Sequence, residues 1–402
     1  MKRKSQSRRE IKLGIVANEF FDLRLGRMGG FGWAARQVAR CFVDEPSLGV
    51  EVVFLTNAFG VGNGQPETSV HGTRLVSFNR GRLENLRRLR AERLDLLLGI
   101  DYRPNYRFFY HALPRTPIVN WVRDPRTPAD VAKINTLRLP EACATQPEGV
   151  EPIDCSSLAR VVRMSRLLSR NVLFATPAPH LAQKCEGAYG VRKRELFFLP
   201  NIIDLDTGAL TKSTRPRVVF LGRLDPCKRP WLFVKLAEQF PHVEFLFLGR
   251  AHFESGAARG VGATLPNVRF MGHVGEEEKA RALSSAWVLV NTSIHEGLAI
   301  SFLEALACET PILSCQNPGG IASRFGIYTG HFDGDGLEGL PHLVAGLEHL
   351  VGDEELRLRL GREGRSWVRE THSRAHFLTA FRDLCARAGV ALGGDKVTCD
   401  ET

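Results

Sequence analysis

The chain has 402 residues, 44% of them hydrophobic, and a formal net charge of +10. That length fits two α/β-sized domains of about 200 residues better than one core, and no run nears the roughly 18 apolar residues of a membrane span. Nine scattered cysteines without a CxxC exclude a cysteine-based metal framework and point to reduced thiols in a cytoplasmic protein, while the positive balance favours anionic partners without naming one.

The basic, polar stretch 1–10 leads into Ile11–Ala17, an apolar run too short for a signal core and without a cleavage site, so no secretion signal is expected. This run (IKLGIVA) reads as a buried strand, GGFGWAARQVARCF (29–42) as a loop and helix, and VEVVFLTN (50–57) as a second strand. RGRLENLRRLRAERLD (80–95) reads as a basic amphipathic helix with Leu83, Leu86, Leu89 and Leu94 in one stripe. It suits a solvated helix at a sheet edge, or a patch facing a membrane surface or an acceptor. RLDLLLGI (93–100) and TPIVNWV (116–122) are further strands, and residues 140–156, poor in periodicity, read as an insertion or lid. LARVVRMSRLLSR, NVLFATP, HLAQKCEGAYG and ELFFLP complete the half as helix, strand, helix and strand, ending at Pro200. The second half repeats the alternation: strands in RVVFLGRL, VEFLFLG, NVRFMG, WVLVNTS and TPILSC, helices in RPWLFVKLAEQF, EEEKARALSSA and ISFLEALAC. Short apolar runs between helical patterns indicate parallel sheets covered by helices. The polar segment 204–216 reads as the linker, and two doubly wound units in series invite a ligand to the carboxyl ends of their strands, in a cleft between them.

Three stretches carry chemistry. In FLGRLDPCKRPW, Arg223 and Lys228 stand between a strand and a helix start, where free amides already favour an anion. In NTSIHEGLAISFLEALACETP, Glu296 precedes Gly297, a turn that lets the amides of Leu298, Ala299 and Ile300 face a phosphate. Glu304 follows inside an apolar run, where Ser301 and Glu304 also match a capping box. Carboxylates accept hydroxyl protons from sugars, so the two acids suit the ends of one long ligand. In RMGGFGWAARQ, Gly29 and Gly30 permit backbone approach to a phosphate, although the dinucleotide fingerprint is absent.

In combination these motifs make the chain similar, over roughly residues 11–390, to the retaining two-domain nucleotide-sugar glycosyltransferases called group 1. The paired glutamates Glu296 and Glu304, the cations Arg223 and Lys228, the loop at Gly29 and Gly30, the segment Pro200–Asn201–x–x–Asp204 and the turn NVRFMGHV carry the likeness. The resemblance implies a GT-B fold, two Rossmann-like domains facing a central cleft. Residues 1–203 would form the acceptor side and 217–402 the nucleotide-sugar side, with the last helices returning to the first domain. By that likeness Glu304 holds ribose hydroxyls, Glu296 meets the donor sugar, and Arg223 and Lys228 neutralise the diphosphate with the amides of Leu298, Ala299 and Ile300. The reaction implied moves a sugar from a nucleoside-diphosphate co-substrate to a saccharide, lipid-linked or small-molecule acceptor, with no permanently bound cofactor.

Departures from the pattern concern the acceptor side. Where many members carry a histidine after the fourth strand, this chain has Arg123, Asp124 and Arg126, suited to an anionic acceptor, the donor sugar or a structural ion network. His111 is a second candidate, or a strand-end histidine; His295 is a contact to donor or acceptor, or a local structural group. Glu309 replaces a usual glycine, and the acidic residue expected soon after Gly319 and Gly320 is missing. Asp333 and Asp335 have a metal-motif spacing but stand in a late Gly-rich loop, and a positively lined diphosphate site needs no divalent ion, so no metal is expected. Nucleic acid is set aside because the aromatics form no stacking array, while peripheral contact with the inner face of a membrane stays open. The rivals are a nucleotide-sugar epimerase and a noncatalytic sugar-nucleotide-binding relative.

Overall fold

The computed structural model describes residues 10–19, 28–56, 67–78, 81–140, 149–206, 208, 210–250 and 265–392. Contacts divide the chain into two compact units. One comprises Met1–Pro125, Ile153–Ile202 and Arg374–Thr402, the other Arg126–Pro152 and Ile203–Ser373.

In the first unit the strands are β1 (Ile11–Val16), β2 (Val50–Thr56), β3 (Glu67–Val70), β4 (Thr73–Ser77), β5 (Leu96–Ile100), β6 (Ile118–Trp121), β7 (Val172–Thr176) and β8 (Leu196–Phe198). They form one sheet in the order β3-β4-β2-β1-β5-β6-β7-β8. All neighbours run parallel except β3 and β4, which form a hairpin. The central strand β5 (LLLGI) is apolar and buried throughout because both faces are covered. The hairpin was not among the expected strands; it turns at His71 and Gly72, both at positive φ (50° and 74°), in place of the usual Asn-Gly signal. The last helix, Arg374–Ala388, packs Phe377 on Trp121 and Phe381 on Phe42, and Arg374 donates to the Cys41 carbonyl at 2.6 Å. The basic helix spans Arg82–Ala91 with Leu89 buried, but Leu83 is 73% exposed. The expected stripe is therefore shorter: Asn85 takes the inward position and donates to the Phe78 carbonyl, and Leu94 lies beyond the helix end.

The second unit holds β9 (Arg217–Leu221), β10 (Glu244–Leu248), β11 (Val268–Gly272), β12 (Val288–Asn291), β13 (Ile312–Ser314) and β14 (Gly326–Tyr328) in a parallel sheet ordered β11-β10-β9-β12-β13-β14. Phe220, Phe233, Phe245 and Phe247 interlock under it. At the carboxyl ends of β9 and β10 two backbones nearly touch: a Cβ on Gly249 (φ +148°) would lie 1.8 Å from the Gly222 carbonyl oxygen, so only glycine fits. The segment Arg126–Pro152 belongs to this unit although it follows β6 in sequence, a division unlike a single cut near 204–216. Leu137 and Leu139 are the physical reason, since they join the buried cluster of Val218, Phe220 and Trp231. Of the expected lid, residues 141–148 lie outside the described residues. Among the described residues no helix is long and apolar enough to cross a membrane.

Candidate active site

The loop after β9 is held by a residue that the sequence left without a role. Arg229 sits fully buried at φ +46°, just before the helix Pro230–Gln239. Its guanidinium donates to the carbonyls of Thr292 (2.8 Å), Phe332 (2.6 Å) and Ser293 (3.2 Å). Thr292 returns the bond, its hydroxyl donating to the Lys228 carbonyl at 2.7 Å, and the Ile294 amide donates to that of Cys227 at 2.9 Å. The loops after β9 and β12 are thus stitched together. Of the two expected cations, Arg223 is half-exposed and pairs with Asp225 at 2.9 Å, while Lys228 turns to Glu296.

Glu296 is nearly buried, and its Oε1 accepts from Lys228 Nζ (2.6 Å), Ser293 Oγ (2.6 Å) and Asn291 Nδ2 (2.9 Å). Burial pushes its pKa up, but the Lys228 charge and the three hydrogen bonds outweigh it and hold the carboxyl below its ordinary range.

Glu304 lies on the helix Ile300–Ala307. The expected capping box does not form: the N-cap is Ala299, without a side-chain bond. Glu304 Oε1 instead accepts from Lys279 Nζ at 2.6 Å, and Lys279 also pairs with Glu276 at 2.9 Å. Burial raises the Glu304 pKa, Lys279 opposes and Glu276 adds to the rise, so the group stays above its ordinary value. Lys279 is held charged by the two acids against the effect of burial. Leu298, Ala299 and Ile300 make the turn into this helix, after Gly297. A genuine capping box exists elsewhere, at Thr127 and Asp130 on the helix Pro128–Ile134, and Asp130 Oδ1 lies 3.7 Å from Nδ1 of His295.

In the first unit, Gly29 and Gly30 open the helix Gly30–Val43 as expected, and its amides already hold an anion. Glu19 Oε2 accepts from the amides of Gly29 (3.0 Å), Phe31 (2.9 Å) and Gly32 (2.9 Å). A Cβ on Gly29 would meet Glu19 Oε1 at 2.5 Å. Arg123, two residues past the end of β6, is buried, donates Nη2 to Asn201 Oδ1 at 2.6 Å and lies over the Trp121 ring at 4.3 Å. Burial pulls its pKa down to about 9, with Asp101 and Glu19 opposing. Asp101, at the end of β5, was missed. It is fully buried at φ +59°, accepts from the Arg123 amide at 3.2 Å and the Tyr189 hydroxyl at 3.4 Å, and burial raises its pKa to about 6. The available signal was an acid at the carboxyl end of a wholly apolar strand.

Of Arg123, Asp124 and Arg126, the first two belong to the first unit and Arg126 to the second. There Arg126 joins Lys228 and Arg223 around Cys227, whose thiol burial pushes up and these charges pull down. His111 is neither buried nor at a strand end; it lies exposed in the last turn of the helix Arg107–Ala112. Asp333 Oδ1 accepts from His331 Nε2 at 2.9 Å, and Asp335 caps the Leu337 amide at 3.0 Å while its carbonyl takes the Trp231 indole at 2.8 Å. Among the described residues no group of three or more His, Cys, Asp or Glu is placed to hold a metal.

Residues 204–367 match the model of the family described as glycosyl transferases group 1. Among solved structures, the chain is similar to sucrose-phosphate synthase from Thermosynechococcus elongatus (15% identity, 94% of this chain and 100% of that one covered, TM-score 0.65). It is also similar to HepE of Anabaena, solved in complex with UDP-glucose (15% identity, 94% and 100% covered, TM-score 0.63). A third is a glycosyltransferase from Rickettsia africae (11% identity, 94% and 98% covered, TM-score 0.67). At such identities these structures speak for the fold, and the family match speaks for the chemistry of the second unit: the chain carries a glycosyl transferases group 1 domain and is a glycosyltransferase.

Proposed function

We propose that the protein is a retaining transferase that moves a sugar from a nucleoside-diphosphate sugar to an acceptor hydroxyl, the acceptor being a saccharide, a lipid-linked sugar or a small molecule. The observation that carries this reading is the Lys228–Glu296 pair. Three donors converge on Oε1 of Glu296, which keeps the group ionised and leaves Oε2 to accept a sugar hydroxyl. Lys228, Arg223 and Arg126 supply positive charge around the loop at Cys227, where the leaving diphosphate develops its charge. The amides of Leu298, Ala299 and Ile300 assist at the helix start. Glu304 takes the ribose hydroxyls, and His295, oriented by Asp130, faces the donor sugar. The reading also gives the amide seat at Gly29 and Gly30 to a phosphate, which then has to displace the Glu19 carboxylate. Arg123 and Asp124 serve the acceptor, with His111 as a more remote candidate. UDP-sugars are the first donors to try, because HepE is solved with UDP-glucose.

In the reaction, the bond between C1 and the phosphate oxygen breaks on the face where the acceptor oxygen attacks. The acceptor proton passes to the leaving phosphate oxygen, so configuration is kept and no carboxylate nucleophile is required. Positive side chains offset the diphosphate charge without a metal, so activity is expected to survive EDTA. The seven described cysteines are all free, which fits a reducing, cytoplasmic setting. A mass-spectrometric screen of UDP-, GDP- and ADP-sugars against mixed acceptors tests the reading, with NMR of the product anomer. Formation of an inverted product would overturn retention; nucleotide release without glycosylated product from any donor would overturn the transfer.

A further inference from the structure

Three helices of the first unit carry predominantly positive charge. On Arg82–Ala91, Arg82, Arg87 and Arg90 are exposed; on Arg107–Ala112, Arg107 is exposed; on Ser156–Leu167, Arg160, Arg163 and Arg166 are exposed. Glu84 is the one acid within these three helices. They are neighbours. Arg90 Nε donates to the Ala112 carbonyl at 3.4 Å, and Arg170, just beyond the third helix, donates Nη1 to the carbonyls of Tyr110 (2.6 Å) and Leu113 (2.7 Å). The ends of the first and third helices therefore meet at Ala112–Leu113. The electrostatics agree: the imidazole of the exposed His111 is held below its ordinary value by partial desolvation of its ring and then by Arg170, Arg160 and Arg107.

Apolar side chains stand among these arginines. Leu167 is 83% exposed, Leu168 48% and Met164 45%, all at one helix end. Each loses free energy by standing in water. An arrangement serving solubility alone would not place three large apolar groups beside Arg163 and Arg166. A soluble polyanion would be met by the arginines without them. Anionic headgroups above acyl chains satisfy both features, since arginines are attracted to an acidic surface and apolar side chains enter the headgroup boundary.

We propose that this face, centred on Leu167, Leu168, Arg163 and Arg166, docks the protein on an anionic lipid bilayer. The proposal is independent of the sugar chemistry above. Its test is co-sedimentation of the full chain with phosphatidylcholine vesicles with and without phosphatidylglycerol. Wild type is expected to sediment with the anionic vesicles only, and to be released at roughly 0.5 M salt, where screening acts within a few ångström. Both L167S/L168S and R163S/R166S are expected to weaken partitioning about ten-fold or more, with unchanged thermal melting. Three outcomes would overturn the proposal. Wild type can fail to bind anionic vesicles. L167S/L168S can bind them as wild type does while R163S/R166S does not, which would make the face a reader of charge alone. Light scattering can show that wild type self-associates through this face and that L167S/L168S is a monomer, which would assign the leucines to a protein interface.

Discussion

Glu296 and Glu304 stand eight residues apart in one unit, each largely buried and each with a lysine Nζ 2.6 Å from its Oε1, yet their ionisation is pushed in opposite directions. At the first corner the lysine is joined by two neutral donors, Ser293 and Asn291, and all three bonds favour the carboxylate. At the second corner Lys279 is shared with another acid, Glu276, whose charge works against Glu304. A cation at contact distance therefore does not settle the state of a buried acid; the remaining donors and the sign of the next charge do. In the proposed reaction this separates the two roles, with Glu296 a fixed acceptor and Glu304 a group whose grip on hydroxyls responds to pH.

The largest expected effect comes from breaking the first corner. Lys228→Ala should reduce kcat/KM for the donor on the order of 10²-fold or more, through loss of charge at the leaving diphosphate, read by nucleotide release against acceptor consumption. A drop below about three-fold would make Lys228 a structural partner of Glu296. At the second corner, Glu304→Gln should weaken UDP binding about ten-fold, the loss of a charge-assisted hydrogen bond. Titration calorimetry with unaltered affinity would remove Glu304 from the ribose. A third carboxylate sharpens the contrast, because Glu19 is held by three backbone amides. Glu19→Gln should cost about 1 kcal/mol, as lost caps do, and lower Tm by about 2–4 °C. Scanning calorimetry showing no change would mean that the helix start is indifferent to the anion.

The smallest effect tests the opposite pKa directions themselves. Glu296, held low, contributes stability that is complete above the ordinary carboxylate range and is lost as pH falls through its folded value. Glu304, held high, binds its proton in the folded state before the unfolded chain does, so its contribution grows as pH falls from neutral toward about pH 4–5 and shrinks as pH rises. The Tm gap between wild type and Glu296→Gln should therefore narrow on acidification below about pH 4. The gap between wild type and Glu304→Gln should shift in favour of wild type between about pH 7 and pH 5. Parallel curves for the two variants would show that the corners are electrostatically alike.

Much of the fold could be read directly. Strands such as LLLGI and VVFL are apolar on both faces because helices cover both faces, and that leaves an unmistakable run. The pieces that escaped are those with weak local signals: the β3–β4 hairpin with its His-Gly turn, and the three-residue edge strand β14. The capping rule failed in an instructive way. It assigned Ser301 and Glu304, where no box forms, and passed over Thr127 and Asp130, where one does. The same spacing occurs in both places, but the helix at Glu304 has Ala299 as its N-cap, so Ser301 lies inside it, and the Glu304 carboxylate accepts from Lys279 instead. Arg229 shows the same limit. Nothing local distinguishes it from Lys228, but its left-handed backbone turns it inward onto three carbonyls and leaves Lys228 for Glu296.

What the sequence by itself determined was the class: two parallel α/β sheets, a loop of cations after a strand, and a spaced pair of acids in a group 1 glycosyltransferase pattern. These are written in periodicity, turn chemistry and short spacings, which act over a few residues of chain. What only the tertiary structure decided was which partner each charge received. Lys228 reaches Glu296 across 68 positions and Lys279 reaches Glu304 across 25. Leu137 and Leu139 join a core whose strands begin far later in the chain. Burial and pairing depend on groups brought together by folding, so no local pattern in the sequence can encode which acid will be ionised.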